Sequence, residues 1–149
     1  MSLEDLYHQL ILDHSRSPRN SGRLPDANRE AEGLNPLCGD RLHLWLRMDG
    51  DTIEDVKFEG KGCAISQASA SIMTGAIKGK TRAEAEELFE QFHDLVTGKL
   101  ATEDASKLPA RLNAFAGVAR FPVRVKCASL SWHALRSALR EESRAATTE

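Results

Sequence analysis

Arg41-Leu42-His43-Leu44-Trp45-Leu46-Arg47-Met48-Asp49-Gly50 is the stretch on which the fold turns. Leu42, Leu44, Leu46 and Met48 alternate with Arg41, His43, Trp45 and Arg47, the period-two pattern of a strand with one buried face. Asp49-Gly50 then supplies a residue pair that tolerates the positive φ angles of a tight hairpin. A second strand is expected beyond it, through Val56 and Phe58.

Outward from this hairpin the period changes to that of helices. After Gly60-Lys61-Gly62, Ile65, Ala68, Ile72 and Ala76 share one face of a helix over 64–78 that stops at Gly79, and its many small residues permit close approach of another backbone. Thr81 with Glu84 forms a capping box for a helix carrying Leu88, Phe89, Phe92 and Val96 inward, ending near Gly98. Upstream, Ser2 and Asp5 form another, and Leu3, Leu6, Tyr7, Leu10 and Ile11 give an amphipathic helix over 3–14. The polar, Pro- and Gly-punctuated stretch 15–37 reads as a surface loop. Residues 99–116 read as irregular or weakly helical, within a segment, 79–116, that is hard to place. Leu130, Ala134, Leu135, Ala138 and Leu139 predict a long last helix from about Val125, and residues 143–149 are expected to fray. With no repeat, low-complexity tract or linker, residues 1–149 are expected to form a single α+β domain, a small antiparallel sheet covered by helices.

Composition narrows the function classes. The chain has 149 residues, 41% hydrophobic and 28% charged, which suits one core. A net charge of -2 removes the general electrostatic case for nucleic acid or an anionic membrane as partner. Trp45 and Trp132 read as packing groups, since no aromatic series accompanies the basic residues. The longest uncharged run, 62–77, is too short and too polar to span a bilayer. Glu4 and Asp5 stand where a secretory signal carries positive charge, so a cytoplasmic location is expected. The charge is nevertheless uneven: residues 105–140 hold seven basic residues and no acid. Cys127 lies in that block directly after Arg124 and Lys126, cations that favour a thiolate.

Three cysteines cannot complete a disulfide framework. Cys38 closes the long loop, Cys63 follows a Gly-Lys-Gly turn at a helix start, and Cys127 falls near the start of the last helix. Helix N-termini stabilise anions such as thiolate. Asp40 is two residues past Cys38 in an extended segment, which puts both side chains on one side, with Gly39 permitting a turn between them. Cys38, Asp40, Cys63 and Cys127 together offer three sulfurs and one oxygen, a tetrahedral set suited to zinc. Inert, buried thiols are the commoner fate of scattered cysteines, and these separations match no short zinc-finger spacing. His43, His93 and His133 read as surface or capping residues.

Longer motifs go further. Asn35-Pro36-Leu37-Cys38-Gly39-Asp40, Gly60-Lys61-Gly62-Cys63-Ala64-Ile65-Ser66 with Ala68-Ser69-Ala70-Ser71, and Phe121-Pro122-Val123-Arg124-Val125-Lys126-Cys127-Ala128-Ser129-Leu130-Ser131-Trp132 resemble the three cysteine motifs of the NifU N-terminal/IscU family. Leu6-Tyr7, Asp13-His14 and Pro18-Arg19-Asn20-Ser21-Gly22 are similar to its N-terminal region. Lys126 stands where scaffold members of the family carry a histidine, and the spacing from Cys63 to Cys127 is longer than theirs, so the chain resembles the SufU branch.

That resemblance implies a zinc-dependent sulfur acceptor for a cysteine desulfurase of the SufS type, handing sulfur to downstream iron-sulfur assembly proteins. It implies that a ligand from the partner displaces Cys38 from zinc, and that the freed thiolate attacks the partner's persulfide. Asp40, Cys63 and Cys127 would keep the metal, Gly39 would let Cys38 leave with little strain, and Arg124 and Lys126 would offset negative charge and help docking. The alternatives are a scaffold that assembles a transient iron-sulfur cluster on the same residues, and a purely structural zinc domain.

Overall fold

The computed structural model describes residues 2–99, 108–141 and 146–147. In chain order these form helix α1 (Leu3–Arg16), strands β1 (Arg29–Asn35), β2 (Asp40–Asp49) and β3 (Thr52–Lys61), helices α2 (Ala64–Ile77) and α3 (Arg82–Val96), a 3-10 helix (Leu112–Arg120), helix α4 (Pro122–Leu139) and the two-residue strand β4 (Ala146–Thr147). The sheet order is β3-β2-β1-β4, antiparallel except where β4 joins β1.

The expected hairpin is present. Leu44 faces Phe58 and Leu46 faces Val56, so the inward apolar residues of β2 and β3 stand side by side. Gly50 takes φ +60 in the turn, as its position demands. Both expected capping boxes form, Ser2 with Asp5 and Thr81 with Glu84.

Strand β1 corrects the reading of 15–37 as loop throughout. Its inward residues are Ala31, Gly33 and Asn35, too small or polar to register as an apolar alternation. They suit a strand that a helix crosses closely: a Cβ on Gly33 would stand 3.0 Å from Leu130 Cδ1 of α4. The tail is likewise not wholly frayed, because Ala146 and Thr147 pair in parallel with Gly33 and Leu34. The rest of the expected frayed segment, except residues 146–147, and the part of the unplaced segment at 100–107 lie outside the described residues.

Helices α2 and α4 pack on the inner face of the sheet and against each other. The serine-rich surface of α2 allows this approach, with Ser69 Oγ donating to the Ala128 carbonyl at 2.5 Å. On its other side α2 receives α1, where buried His14 meets Ser71 Oγ through Nδ1 at 2.7 Å and the Arg19 N–H donates to the same hydroxyl at 2.8 Å. Trp132 stacks on Phe92 at 4.6 Å in one continuous core that includes Leu44, Leu46, Met73, Phe115 and Leu135. Trp45 packs on the other face of the sheet, stacked on His43 at 4.1 Å. His43 lies half-buried between Glu30 and Glu32. His93 and His133 are also half-buried, at the junction of α3 and α4 around Phe89, and neither caps a helix as the sequence suggests. Among the described residues, no helix is long and apolar enough to cross a membrane.

Candidate metal centre

The centre is built on the end of the β1–β2 ladder. Asn35 and Asp40 are its last cross-strand partners, and the four residues between them form a turn closed by the Gly39 N–H donating to the Asn35 carbonyl at 2.9 Å. Gly39 adopts φ +71, a conformation that costs other residues about 1 to 2 kcal/mol. Cys38 is therefore exposed on the turn, whereas Asp40, the first residue of β2, is buried and faces inward. The two come together through this turn and not through the extended segment expected from their spacing.

Cys63 is the N-cap of α2, as expected, and its Sγ accepts from the Ser66 N–H at 3.5 Å. Its own N–H donates to Asp40 Oδ1 at 2.9 Å. Gly62 makes this contact possible, since a Cβ there would overlap the Asp40 carboxylate.

Cys127 departs from expectation. Helix α4 starts at Pro122, whose fixed φ suits a first helical position, so Cys127 falls in the second turn and is buried. Burial pushes the Cys127 thiol up, with Cys63, Asp40 and Cys38 beside it adding to the effect. Arg124 is exposed and lies over the Phe121 ring, and Lys126 is half-buried.

Donor atoms of Cys38, Asp40 and Cys127 all lie within 4.8 Å of one another. Cys127 Sγ donates to Cys38 Sγ at 3.6 Å. The Cys63 thiol adjoins that of Cys127 but stands outside the 4.8 Å set. Sulfurs bound tetrahedrally to zinc at about 2.3 Å are about 3.8 Å apart, so the spacing of Cys38 and Cys127 fits that ion. The chemistry fits as well. Thiols crowded around a buried carboxylate stay protonated unless a cation neutralises them, and a divalent ion does so.

Two residues not singled out from the sequence complete the surroundings. Fully buried Asn35 donates from Nδ2 to Asp40 Oδ2 at 3.0 Å and to Cys127 Sγ at 3.5 Å. Gly62 provides room for Asp40. Both lie inside the quoted motifs, but their tasks depend on strand register and on the approach of α2.

A small sheet covered by helices, with three thiols and an aspartate gathered at one end, defines the class: the chain belongs to the NifU-like N terminal domain family, whose pattern matches residues 6–144. Among its relatives is a zinc-dependent sulfurtransferase SufU of Bacillus subtilis, 47% identical over 141 residues that cover 95% of this chain and 94% of the relative. The iron-sulfur cluster assembly scaffold protein IscU of Streptococcus pyogenes is 41% identical over 96% of this chain and 88% of its own. A solved structure from Fervidobacterium islandicum, described as a putative iron-sulfur cluster assembly scaffold protein for the SUF system, superposes with TM-score 0.81 at 40% identity, covering 93% of this chain and 99% of that one.

Proposed function

We propose that this chain is a zinc-dependent sulfur acceptor of iron-sulfur cluster assembly, taking persulfide sulfur from a cysteine desulfurase on Cys38 in the cytoplasm. The metal would be held by Cys38, Asp40, Cys63 and Cys127. The observation that carries the reading is the inequality of these four residues. Asp40 receives the Asn35 amide and the Cys63 N–H, Cys127 receives the Asn35 amide, and Cys63 receives the Ser66 N–H. Among the described residues no amide donor reaches Cys38, and it alone of the three thiols is exposed.

Bound zinc would supply positive charge that keeps the thiols ionised, with no redox chemistry of its own. Asp40, Cys63 and Cys127 would keep the metal, and Cys38, exposed on a turn beside Gly39 with φ +71, would be the donor free to react. The Cys38 thiolate attacks the terminal sulfur of the desulfurase persulfide, forming a new S–S bond as the old one breaks. The partner's cysteine leaves as thiolate, so no outside oxidant or reductant is needed. Exposed Leu37 beside Cys38, and exposed Phe121 and Val123 at the start of α4, the first as its N-cap, offer apolar surface to that partner. Arg124, also exposed there, adds a positive charge for docking. Lys126, less exposed, offsets the negative charge of the donor set. Downstream assembly proteins would take the sulfur from Cys38.

Desulfurase turnover with and without this protein, alongside its metal content, tests the reading. A colourless protein with one tightly held zinc that accelerates turnover is expected. A brown protein whose iron and sulfide survive purification would establish the scaffold reading instead. A zinc protein without effect on turnover would be a structural domain.

A further inference from the structure

We infer that Asn35 is a positioning residue for the metal centre: its single amide group ties together Asp40 and Cys127, two ligands that must keep the metal while Cys38 is away. This rests on the sulfur-acceptor reading and adds a residue to it.

The argument begins with the ladder. Asn35 lies opposite Asp40 at the end of the β1–β2 pairing, and both side chains are buried on the inner face. Along β1, Ala31, Gly33 and Asn35 are the inward residues. Gly33 meets Leu130 and Ala134 of α4, and Asn35, one inward position further along, meets Cys127 one turn earlier on the same helix. Asn35 thus stands where strand and helix bring the carboxylate and the buried thiol to one point.

Its chemistry suits that place. An amide carries two N–H donors on one nitrogen, enough for one carboxylate oxygen and one sulfur. Asp40 Oδ2 and Cys127 Sγ take them. The reverse orientation would aim the amide oxygen at two acceptors that become anionic when a metal binds, so this chemistry sets the amide's direction. The orientation has a cost, because Asn35 Oδ1 is buried without a hydrogen-bond partner among the described residues. A residue serving the fold alone would be better replaced by an apolar one of the same shape. A residue that retains an unsatisfied oxygen to present its nitrogen to two ligands fits the pattern in which outer partners orient a metal's ligands. Cys38 lies outside this arrangement, so the same group that holds Asp40 and Cys127 leaves Cys38 free to depart.

The test compares wild type with Asn35→Leu, which keeps the shape and removes every polar atom, and Asn35→Asp, which keeps the size and removes the donors. Zinc affinity is measured by competition with a chromophoric chelator, ligand geometry by the absorption bands of the cobalt(II)-loaded protein, and folding by the melting midpoint of the zinc-free protein. Zinc affinity is expected to fall about 10- to 100-fold in both variants with altered cobalt bands. The zinc-free Asn35→Leu protein should lose some stability, because buried Asp40 Oδ2 loses its amide donor, but less than the zinc-loaded protein loses. In wild type, alkylation of Cys38 by iodoacetamide should leave zinc bound, whereas in Asn35→Leu it should release it. Zinc affinity within about twofold of wild type in both variants would overturn the inference, as would equal destabilisation of the zinc-free and zinc-loaded forms. A wild-type protein that binds no zinc would instead overturn the reading beneath it, and would show this before any variant is made.

Discussion

The thiols of Cys38 and Cys127 stand 3.6 Å apart although one is exposed on a turn and the other buried in the second turn of a helix 89 residues further along the chain. Two ligands in contact but differently anchored are what a site needs if one is to leave and the other to stay.

Substitution separates these tasks. Cys38→Ser should abolish persulfide formation on the protein while leaving much of its zinc, because three better-anchored donors remain. Cys127→Ser should lose zinc. Mass spectrometry for the added sulfur and metal analysis of the purified variants check both. Desulfurase activation retained by Cys38→Ser would contradict the role given to that thiol.

Gly62→Ala bears on the aspartate. The added methyl would overlap a carboxylate that is held by Asn35 and by the Cys63 N–H and so has little freedom to swing away. A stability loss of about 1 to 3 kcal/mol is expected, together with zinc affinity reduced at least about tenfold. Urea unfolding of the zinc-free protein reads the first and chelator competition the second.

Removal of zinc should lower the melting midpoint without abolishing cooperative unfolding. The core from Leu44 to Leu139 does not depend on the centre, unlike that of a small zinc finger. Calorimetry before and after treatment with a chelator gives the answer. A zinc-free chain without a thermal transition would favour a structural metal.

Stability should fall on the acid side of neutrality. The His133 imidazole is held below its ordinary value of 6.5 by burial, by His93 and by Arg136. His14 is held below it by burial and by Arg19. The unfolded chain therefore binds these protons more readily, so the native state is unaffected well above pH 6.5 and loses stability as pH drops through it. Urea midpoints of the zinc-free protein at about pH 7.5 and about pH 5.5 should show the loss, and His133→Gln should reduce it. An unchanged slope in that variant would assign the loss elsewhere.

Much of this was legible in advance because it is local. The alternation in β2, the Asp49-Gly50 turn and the two capping boxes each involve residues within a few positions of one another, and each appears as expected. Cys63 at a helix N-terminus was local in the same way. Strand β1 was not legible, since a strand whose inward residues are Ala31, Gly33 and Asn35 is defined by β2 and α4 and not by its own hydrophobicity. The surroundings of Cys127 are not legible in the sequence for a related reason. Arg124 and Lys126 are near in sequence, but α4 turns the thiol inward, where burial and the other three site residues act on it.

Local sequence sets which donors exist, the caps and turns that bound the helices and strands, and the alternation that buries one face of the hairpin. Tertiary structure alone decided that Cys38, Asp40 and Cys127 converge, that Gly62 makes room for the carboxylate, and that Asn35 holds two of the ligands while Cys38 has no amide donor among the described residues. The physical reason is range. Propensity and capping act over a few residues, whereas a metal centre depends on strand register and helix packing that bring residues 35, 40, 63 and 127 to one place.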